Sequence, residues 1–384
     1  MSHAPTASTA GSARSWLSVA ESLGPRFAAR AGEHDAADTF VAANFADLRA
    51  ERVFSAGVPA ALGGGDASHA ELCGLLRVLG RHCGSTALAL SMHMHQVMLP
   101  VWRWRKGQTQ VEPLLRRIAA EELVLATSGG SDWLPGSGRA EKVDGGYRVS
   151  GRKVFTSGVP AASVFMTCAI VDHEGSDPAV LHFPLPLGQE GVTILDTWHT
   201  LGMRGTGSHD VVLENVFVPE TAIAARREPG KWNALFHVLS GIALPLIYAV
   251  YVGIAEGARD IALAAARKKE TSGTDPHLPF LAGEMENELA MAQLALASMV
   301  DLAANAEPGP ETTSAICIRR TLAGNAAIRT VEKAMEVAGG AAFYRALGLE
   351  RMFRDVQAAR YHPLQEKVQL RMTGRLALGL DING

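Results

Sequence analysis

"YRVSGRKVFTSG" (Tyr147–Gly158) marks the point where the texture of the chain changes. It is short, carries Val, Phe and Thr, and is bounded by glycine on both sides. Such a run reads as a β-strand, because β-branched and aromatic side chains suit a pleated, half-buried surface and glycine supplies the turns. Its neighbours have the same character: "SVFMTCAIVD" (163–172), "AVLHFPL" (179–185) and "HDVVLENVFVP" (209–219). Gly145-Gly146 lies between "RAEKVD" and "YRVSG" and predicts a hairpin turn. Residues 123–232 therefore predict a small sheet or barrel domain.

Outward from this core the period becomes helical. On the N-terminal side, "ADTFVAANFADLRAERVFSAG" sets Phe40, Val41, Phe45 and Leu48 near helical spacing, with Gly57 closing the run. "ASHAELCGLLRVLGRHCGSTALALSMHMHQ" opens with Ser68, three residues before Glu71, a predicted capping box. On the C-terminal side, from Asn233, three long runs predict helices: 246–269, 281–306 and 312–340. "ETSGTDPHLP" and "EPGPE" separate them, and Gly339-Gly340 ends the third as a C-cap would. The expectation is an α+β chain: a helical domain (15–122), a β-domain (123–232) and an antiparallel helical bundle (233–384), with room for a ligand at the junction.

Composition sets the bounds. The 384 residues are 47% hydrophobic and 20% charged, with a formal charge of -3. No basic excess points to nucleic acid or a membrane surface. Cys73, Cys83, Cys168 and Cys317 are scattered, with no CxxC pair, which fits a reducing cytoplasm better than a disulfide framework or a zinc site. His93 and His95 in "SMHMHQ" lack a Cys or acidic partner to complete a metal site and read as polar residues on a helix. Residues 1–14 open with small polar residues and predict a disordered arm with no apolar core for a secretory signal. The longest apolar run, "IALPLIYAVYVGIA", contains Pro245 and reads as a buried helix too short to span a bilayer.

Three segments together resemble the acyl-CoA dehydrogenase family. "GVPAALGGGDASHAEL" (57–72) is similar to its "vPxxxGGxG" stretch, and "LGMRGTGSHDVVLENVFVP" (201–219) to its "LGxRxSxxxxxxfxxVxVP" stretch. "EVAGGAAFYRALGLERMFRD" (336–355) is similar to the "QxxGGxGxxxxxxxxRxxRD" that precedes that family's catalytic loop. The resemblance spans about residues 20–375. It implies three domains (α, β, α), one flavin per subunit, and a homodimer or homotetramer in which a neighbour helps hold the flavin.

The resemblance also places the cofactor. The family's "TExxGSD" and "GxKxWITN" segments lie along the flavin ring; here they read "ATSGGSD" and "GRKVFTSG". Thr127 and Ser131 match the first, which is shortened, and Phe155 and Ser157 stand at the Trp and Thr places of the second. Small hydroxyl and backbone donors suit the flavin pyrimidine edge, where reduction builds negative charge. Gly339 and Gly340 match the "QxxGG" glycines, with Glu336 in place of glutamine. Lys269 in "KETSG" replaces the arginine of "RxxFG" and Ser272 its phenylalanine; lysine meets a phosphate as a point charge without a bidentate fork. The implied cofactor is FAD, with FMN as the alternative.

"RDVQAARYHPLQEK" (354–367) is the loop that decides the reaction. A dehydrogenase of this family places a glutamate there to take the substrate α-proton. Counting from Arg354-Asp355, that position is Pro363; the other base position in the family falls near Ala243. Glu366 is the nearest acid. His362 matches a histidine in the family's monooxygenase branch, which takes reduced flavin from a separate reductase and needs no α-base. Two reactions follow from the resemblance: oxidation of an acyl substrate such as a CoA thioester, with Glu366 as a displaced base, and oxygenation with His362 in the site. A flavin-binding scaffold without turnover is the third reading.

Overall fold

The computed structural model describes residues 15–172, 177–269 and 275–384. The predicted N-terminal arm and the first half of the "ETSGTDPHLP" loop, including Ser272, lie outside the described residues. Five helices come first: α1 (Trp16–Ala37), α2 (Ala42–Ala50), α3 (His69–His82), α4 (Gly84–Arg105) and α5 (Glu112–Glu121). The capping box forms: the Ser68 hydroxyl accepts the Glu71 N–H, and the Glu71 carboxylate accepts the Ser68 N–H. The run expected to end at Gly57 ends as a helix at Ala50, and the chain then turns over Val53–Val58 to bury Val53 and Phe54. The "ASHAEL…" stretch is two helices, broken at Cys83, whose backbone is extended.

Among the described residues eight strands follow: β1 (Leu125–Thr127), β2 (Arg139–Val143), β3 (Gly146–Lys153), β4 (Val164–Val171), β5 (Ala179–Pro186), β6 (Val192–Ile194), β7 (Val211–Pro219) and β8 (Ala225–Arg227). They form one sheet in the order β6-β7-β3-β2-β4-β5-β8, with β1 parallel to β4. The Gly145-Gly146 hairpin is present, with Val143 paired to Gly146. Tyr147, Val149, Phe165, Phe183, Leu213 and Val216 fill the β-core.

The last helices are α6 (Ala234–Lys269), α7 (Leu278–Asn305), α8 (Pro310–Ala338), α9 (Leu349–Val356) and α10 (Glu366–Ala377). The expectation of a short apolar helix needs correction. α6 runs through Pro245 and is long and apolar enough to cross a membrane by length and composition. Its apolar window is nonetheless 89% buried inside the protein, which makes it a core helix. Glycines set its closest packing. A Cβ on Gly80 of α3 would lie 2.6 Å from the Val250 carbonyl, and one on Gly253 would lie 2.1 Å from that of Arg77. Only glycine permits backbones so near. The N- and C-terminal helices thus share one core, and α6 is held in register to present Tyr248 and Tyr251 toward the "RDVQAARYHPLQEK" loop.

Candidate active site

The Arg354-Asp355 pair anchors the loop. The Arg354 guanidinium holds Asp35 of α1 at 2.6 Å and Glu350 at 2.8 Å. The buried Asp355 carboxylate accepts the Met203 N–H at 2.5 Å, and burial raises its pKa to about 6. A Cβ on Gly202 would strike the Arg354 carbonyl at 2.3 Å, so the "LGMRG" segment lies directly on α9. This fixes the loop against the β-domain.

At its far end the loop meets the first flavin-type segment. A Cβ on Gly130 would lie 2.9 Å from Cγ of Pro363. A Cβ on Gly129 would likewise lie 2.4 Å from the Cβ of Phe155. The two flavin-type segments are also tied from beneath. Lys153, fully buried, donates to Asp132 Oδ2 at 2.9 Å, to the Ser137 carbonyl at 2.7 Å and to its hydroxyl at 3.0 Å. Three acceptors satisfy the ammonium, the condition for keeping such a charge inside.

Thr127 ends β1 and its hydroxyl donates to the Ser128 carbonyl at 3.3 Å. Ser131 lies in the turn Gly130–Asp132 beside it. Ser157 Oγ is 2.7 Å from Ser208 Oγ, which is 2.7 Å from Thr206 Oγ1, which donates to the Met203 carbonyl at 2.9 Å. Phe155 is 54% exposed, at φ 58°, and meets Trp198 edge-on at 5.8 Å between centroids. A bulky residue in left-handed backbone is a costly conformation, retained where the surroundings demand it. An open aromatic face, a row of small hydroxyls, and the buried Thr156 hydroxyl, which has no hydrogen-bond partner among the described residues, form a set that suits a flat, polar-edged flavin ring.

His362 is held from three sides. The Tyr251 hydroxyl of α6 is 2.5 Å from its Nε2. Arg320 of α8 donates to the His362 carbonyl at 2.5 Å and the Ala359 carbonyl at 3.3 Å, and stacks over Tyr248 at 5.0 Å. Tyr248 itself donates to the Ala359 carbonyl at 2.7 Å. Burial, then the Arg320 charge and His95, push the His362 imidazole down to about 3, so it is neutral near pH 7.

Glu366 opens α10 and takes a different direction. Its carboxylate accepts from Asn325 of α8 at 3.3 Å, and it lies 3.9 Å from the exposed Lys367 ammonium. Gly339 caps α8 at φ 61° and Gly340 follows, both exposed. Lys269 is the last residue of α6, and its side chain lies outside the described set. Residues 127–132, 155–157 and 362–363 therefore converge, whereas Gly339 and Gly340 sit at an exposed helix end.

Sequence reading passed over several members of this cluster. Tyr251 lies in an apolar run that gives it no local signal, and Arg320 resembles any helix arginine. His95 was visible in "HMH" as a polar helix residue. In the structure both histidines are buried. His93 joins the Phe54 carbonyl (2.8 Å) to the Leu125 N–H (3.0 Å), while His95 lies near enough to bias His362.

Comparison with known proteins gives the relationship. Residues 17–122, 127–216 and 246–366 match, respectively, the N-terminal, middle and C-terminal domains of acyl-CoA dehydrogenase. Amino sugar nitrososynthase DnmZ of Streptomyces peucetius is 27% identical over 95% of this chain and 93% of its own length. Cyclohex-1-ene-1-carbonyl-CoA dehydrogenase of Geobacter metallireducens is 28% identical over 84% of this chain and 86% of its own. The solved structure of KijD3 with FMN and a dTDP-linked amino keto sugar superposes with a TM-score of 0.87 at 27% identity, covering 98% of this chain and 96% of that one. Three matching domains in order, on a fold that brings the two flavin-type segments against the 354–367 loop, establish that this chain belongs to the acyl-CoA dehydrogenase family and is a flavin-dependent oxidoreductase.

Proposed function

We propose that this enzyme is a flavin-dependent monooxygenase that receives reduced flavin from a separate reductase. The observation that carries this reading is the state of the loop: Pro363 and Ala243 fill both base positions, and the residue beside Pro363 is a neutral histidine engaged by a buried tyrosine. A bound reduced flavin supplies two electrons to oxygen, so that one oxygen atom reaches the substrate and the other leaves as water. The roles proposed for this chain's own residues follow. Thr127, Ser131 and Ser157 donate to the flavin ring, Phe155 covers its face, and His362 donates a hydrogen bond in the reacting space. Gly339, Gly340 and Lys269 serve the phosphate end of a flavin bound across subunits. The ring-end residues suit FMN and FAD alike, and the likeness to KijD3 supports FMN as a working form.

Dehydrogenation of an acyl substrate, such as a CoA thioester, is the second reading. It is supported by the similar identity to the Geobacter enzyme and by Glu366, four residues after His362. One experiment separates the two. Acyl-CoA thioesters are mixed anaerobically with the flavin-loaded enzyme, and in parallel reduced flavin and labelled oxygen are supplied with candidate amines and aromatics. Oxygen incorporation without bleaching by thioesters is the expected result. Bleaching by a thioester, abolished in Glu366→Gln, would instead establish the dehydrogenase.

We further propose a homodimer or homotetramer located in the cytoplasm. Phe280, Met291 and Leu294 on α7, Leu322 on α8, and Val368 and Leu370 on α10 are exposed apolar residues of the size that subunit interfaces cover. All four cysteines are free and buried, which suits a reducing compartment. Sedimentation of the loaded protein at micromolar concentration tests the assembly; a flavin-loaded monomer would refute it.

A further inference from the structure

We infer that Tyr251 is a positioning residue that fixes the single proton of the His362 ring on Nδ1, leaving that N–H as the imidazole's one free donor and removing its capacity to act as a base. The inference rests on the proposed place of His362 in the oxygenating site. Its structural part stands on the hydrogen-bond geometry alone.

The geometry admits two arrangements. Tyr251 is fully buried, and its hydroxyl lies 2.5 Å from His362 Nε2. In the first arrangement the phenol donates and Nε2 accepts with its lone pair; a neutral imidazole then carries its proton on Nδ1. In the second, Nε2–H donates to the phenolic oxygen, and the phenol proton must find another acceptor. Among the described residues the Tyr251 hydroxyl has no other partner. The neighbouring Tyr248 hydroxyl is committed to the Ala359 carbonyl. The second arrangement therefore strands a buried O–H, at a cost of roughly 1–3 kcal/mol. In the first, Nδ1–H has no described protein acceptor, but His362 is half-buried and Nδ1 is not a fully enclosed atom, so water or a ligand can accept from it. Burial also keeps the Tyr251 phenol protonated, and hence a donor, well above its ordinary range.

The backbone supports the ring. Arg320, itself buried and without a carboxylate partner among the described residues, donates to the carbonyls of His362 and Ala359. Its charge opposes a second proton on the imidazole. Tyr251 of α6 thus selects the tautomer, while Arg320 of α8 holds the loop carbonyls and keeps the ring neutral. A ring with Nε2 occupied and Nδ1 protonated has no lone pair for a substrate proton. It can stabilise negative charge building on oxygen beside it, which is what an oxygenating site needs and a dehydrogenase base does not supply.

The test uses full-length protein labelled with ¹⁵N-histidine, free of flavin, near pH 7. Long-range proton–nitrogen correlations distinguish the two tautomers, and His362→Gln assigns the signal by its loss. A pyrrole-type Nδ1 and a pyridine-type Nε2 are expected in the wild type; an Nε2–H tautomer there would overturn the inference without any variant. Tyr251→Phe, which keeps the ring volume, should move the signal toward Nε2–H, and an unchanged tautomer in a folded variant would also overturn it. With reduced flavin and oxygen, Tyr251→Phe should raise hydrogen peroxide release per flavin consumed by about 10-fold, less than the roughly 10²–10⁴-fold of a group that handles the proton itself, because Tyr251 acts only through His362. If the wild type bleaches with thioesters and never incorporates oxygen, the oxygenase reading fails while the tautomer result stands. If the tautomer is wrong but oxygen is incorporated, this inference alone fails.

Discussion

Lys153 and Asp132 meet at 2.9 Å with both side chains buried, and they join the two flavin-type segments of the β-domain. Each comes from a different motif, "GRK" and "GSD". Removing one partner leaves an uncompensated buried charge, which costs about 3–5 kcal/mol. Lys153→Met should therefore lower stability by that order and release Gly130–Asp132. Lys153→Met combined with Asp132→Asn should recover part of the loss. Urea unfolding of the single and double variants measures both.

Gly130 and Pro363 give a second prediction. A Cβ at Gly130 comes within 2.9 Å of Pro363 Cγ, tighter than side chains tolerate. Gly130→Ala should push the loop away from the β-domain, lower stability by roughly 1–3 kcal/mol and weaken flavin binding. Pro363→Ala in the same chain should restore much of both, because it removes the atom that is struck. A double-mutant cycle in which the two effects simply add would show that these segments are not in contact.

Phe155 should show strain traded for binding. Its φ of 58° suits glycine, and over half of its surface is exposed. Phe155→Gly relieves the backbone while losing the edge contact with Trp198. Apoprotein stability should change by less than about 1 kcal/mol. Flavin affinity, read by fluorescence titration, should fall about 10-fold, equivalent to about 1.4 kcal/mol of lost ring contact.

Acid should unfold this protein through its buried and half-buried histidines. Burial pushes His93, His95 and His182 down to about 4 and His362 to about 3. A depressed histidine binds its proton more readily unfolded than folded, so each contributes stability that is lost as pH falls from about 6.5 toward 4. Asp355 has the opposite sign. Its raised pKa of about 6 means that stability is lost as pH rises from about 4 to 6. Four groups oppose one, so the melting temperature should drop between pH 7 and pH 5. Asp355→Asn, which removes the opposing group, should make that drop steeper.

Much of the architecture was legible in the chain. The switch in period at 123 and 233, the capping box at Ser68, the Gly145-Gly146 hairpin and the Gly339 cap are local signals, each set by neighbours in sequence. The family segments also pointed to Thr127, Phe155 and Ser157, which the fold brings near one another. Other outcomes were not local. The length of α6 was underestimated because Pro245 lies inside a helix whose burial and neighbours hold it together.

Residue types along Arg354–Lys367 are read directly from the chain, and Pro363 among them cannot take a proton. Tertiary structure decided what the loop does with them. Tyr251 is 111 positions from His362 and Arg320 is 42, so no spacing rule pairs them. Their meeting depends on helix packing, through Gly80 and Gly253, and on the Asp355 contact to Met203. The protonation state of a buried imidazole is set by the groups packed around it. Glu366, near in sequence, was carried toward Asn325 by the start of α10, while distant Tyr251 was brought to hydrogen-bond range.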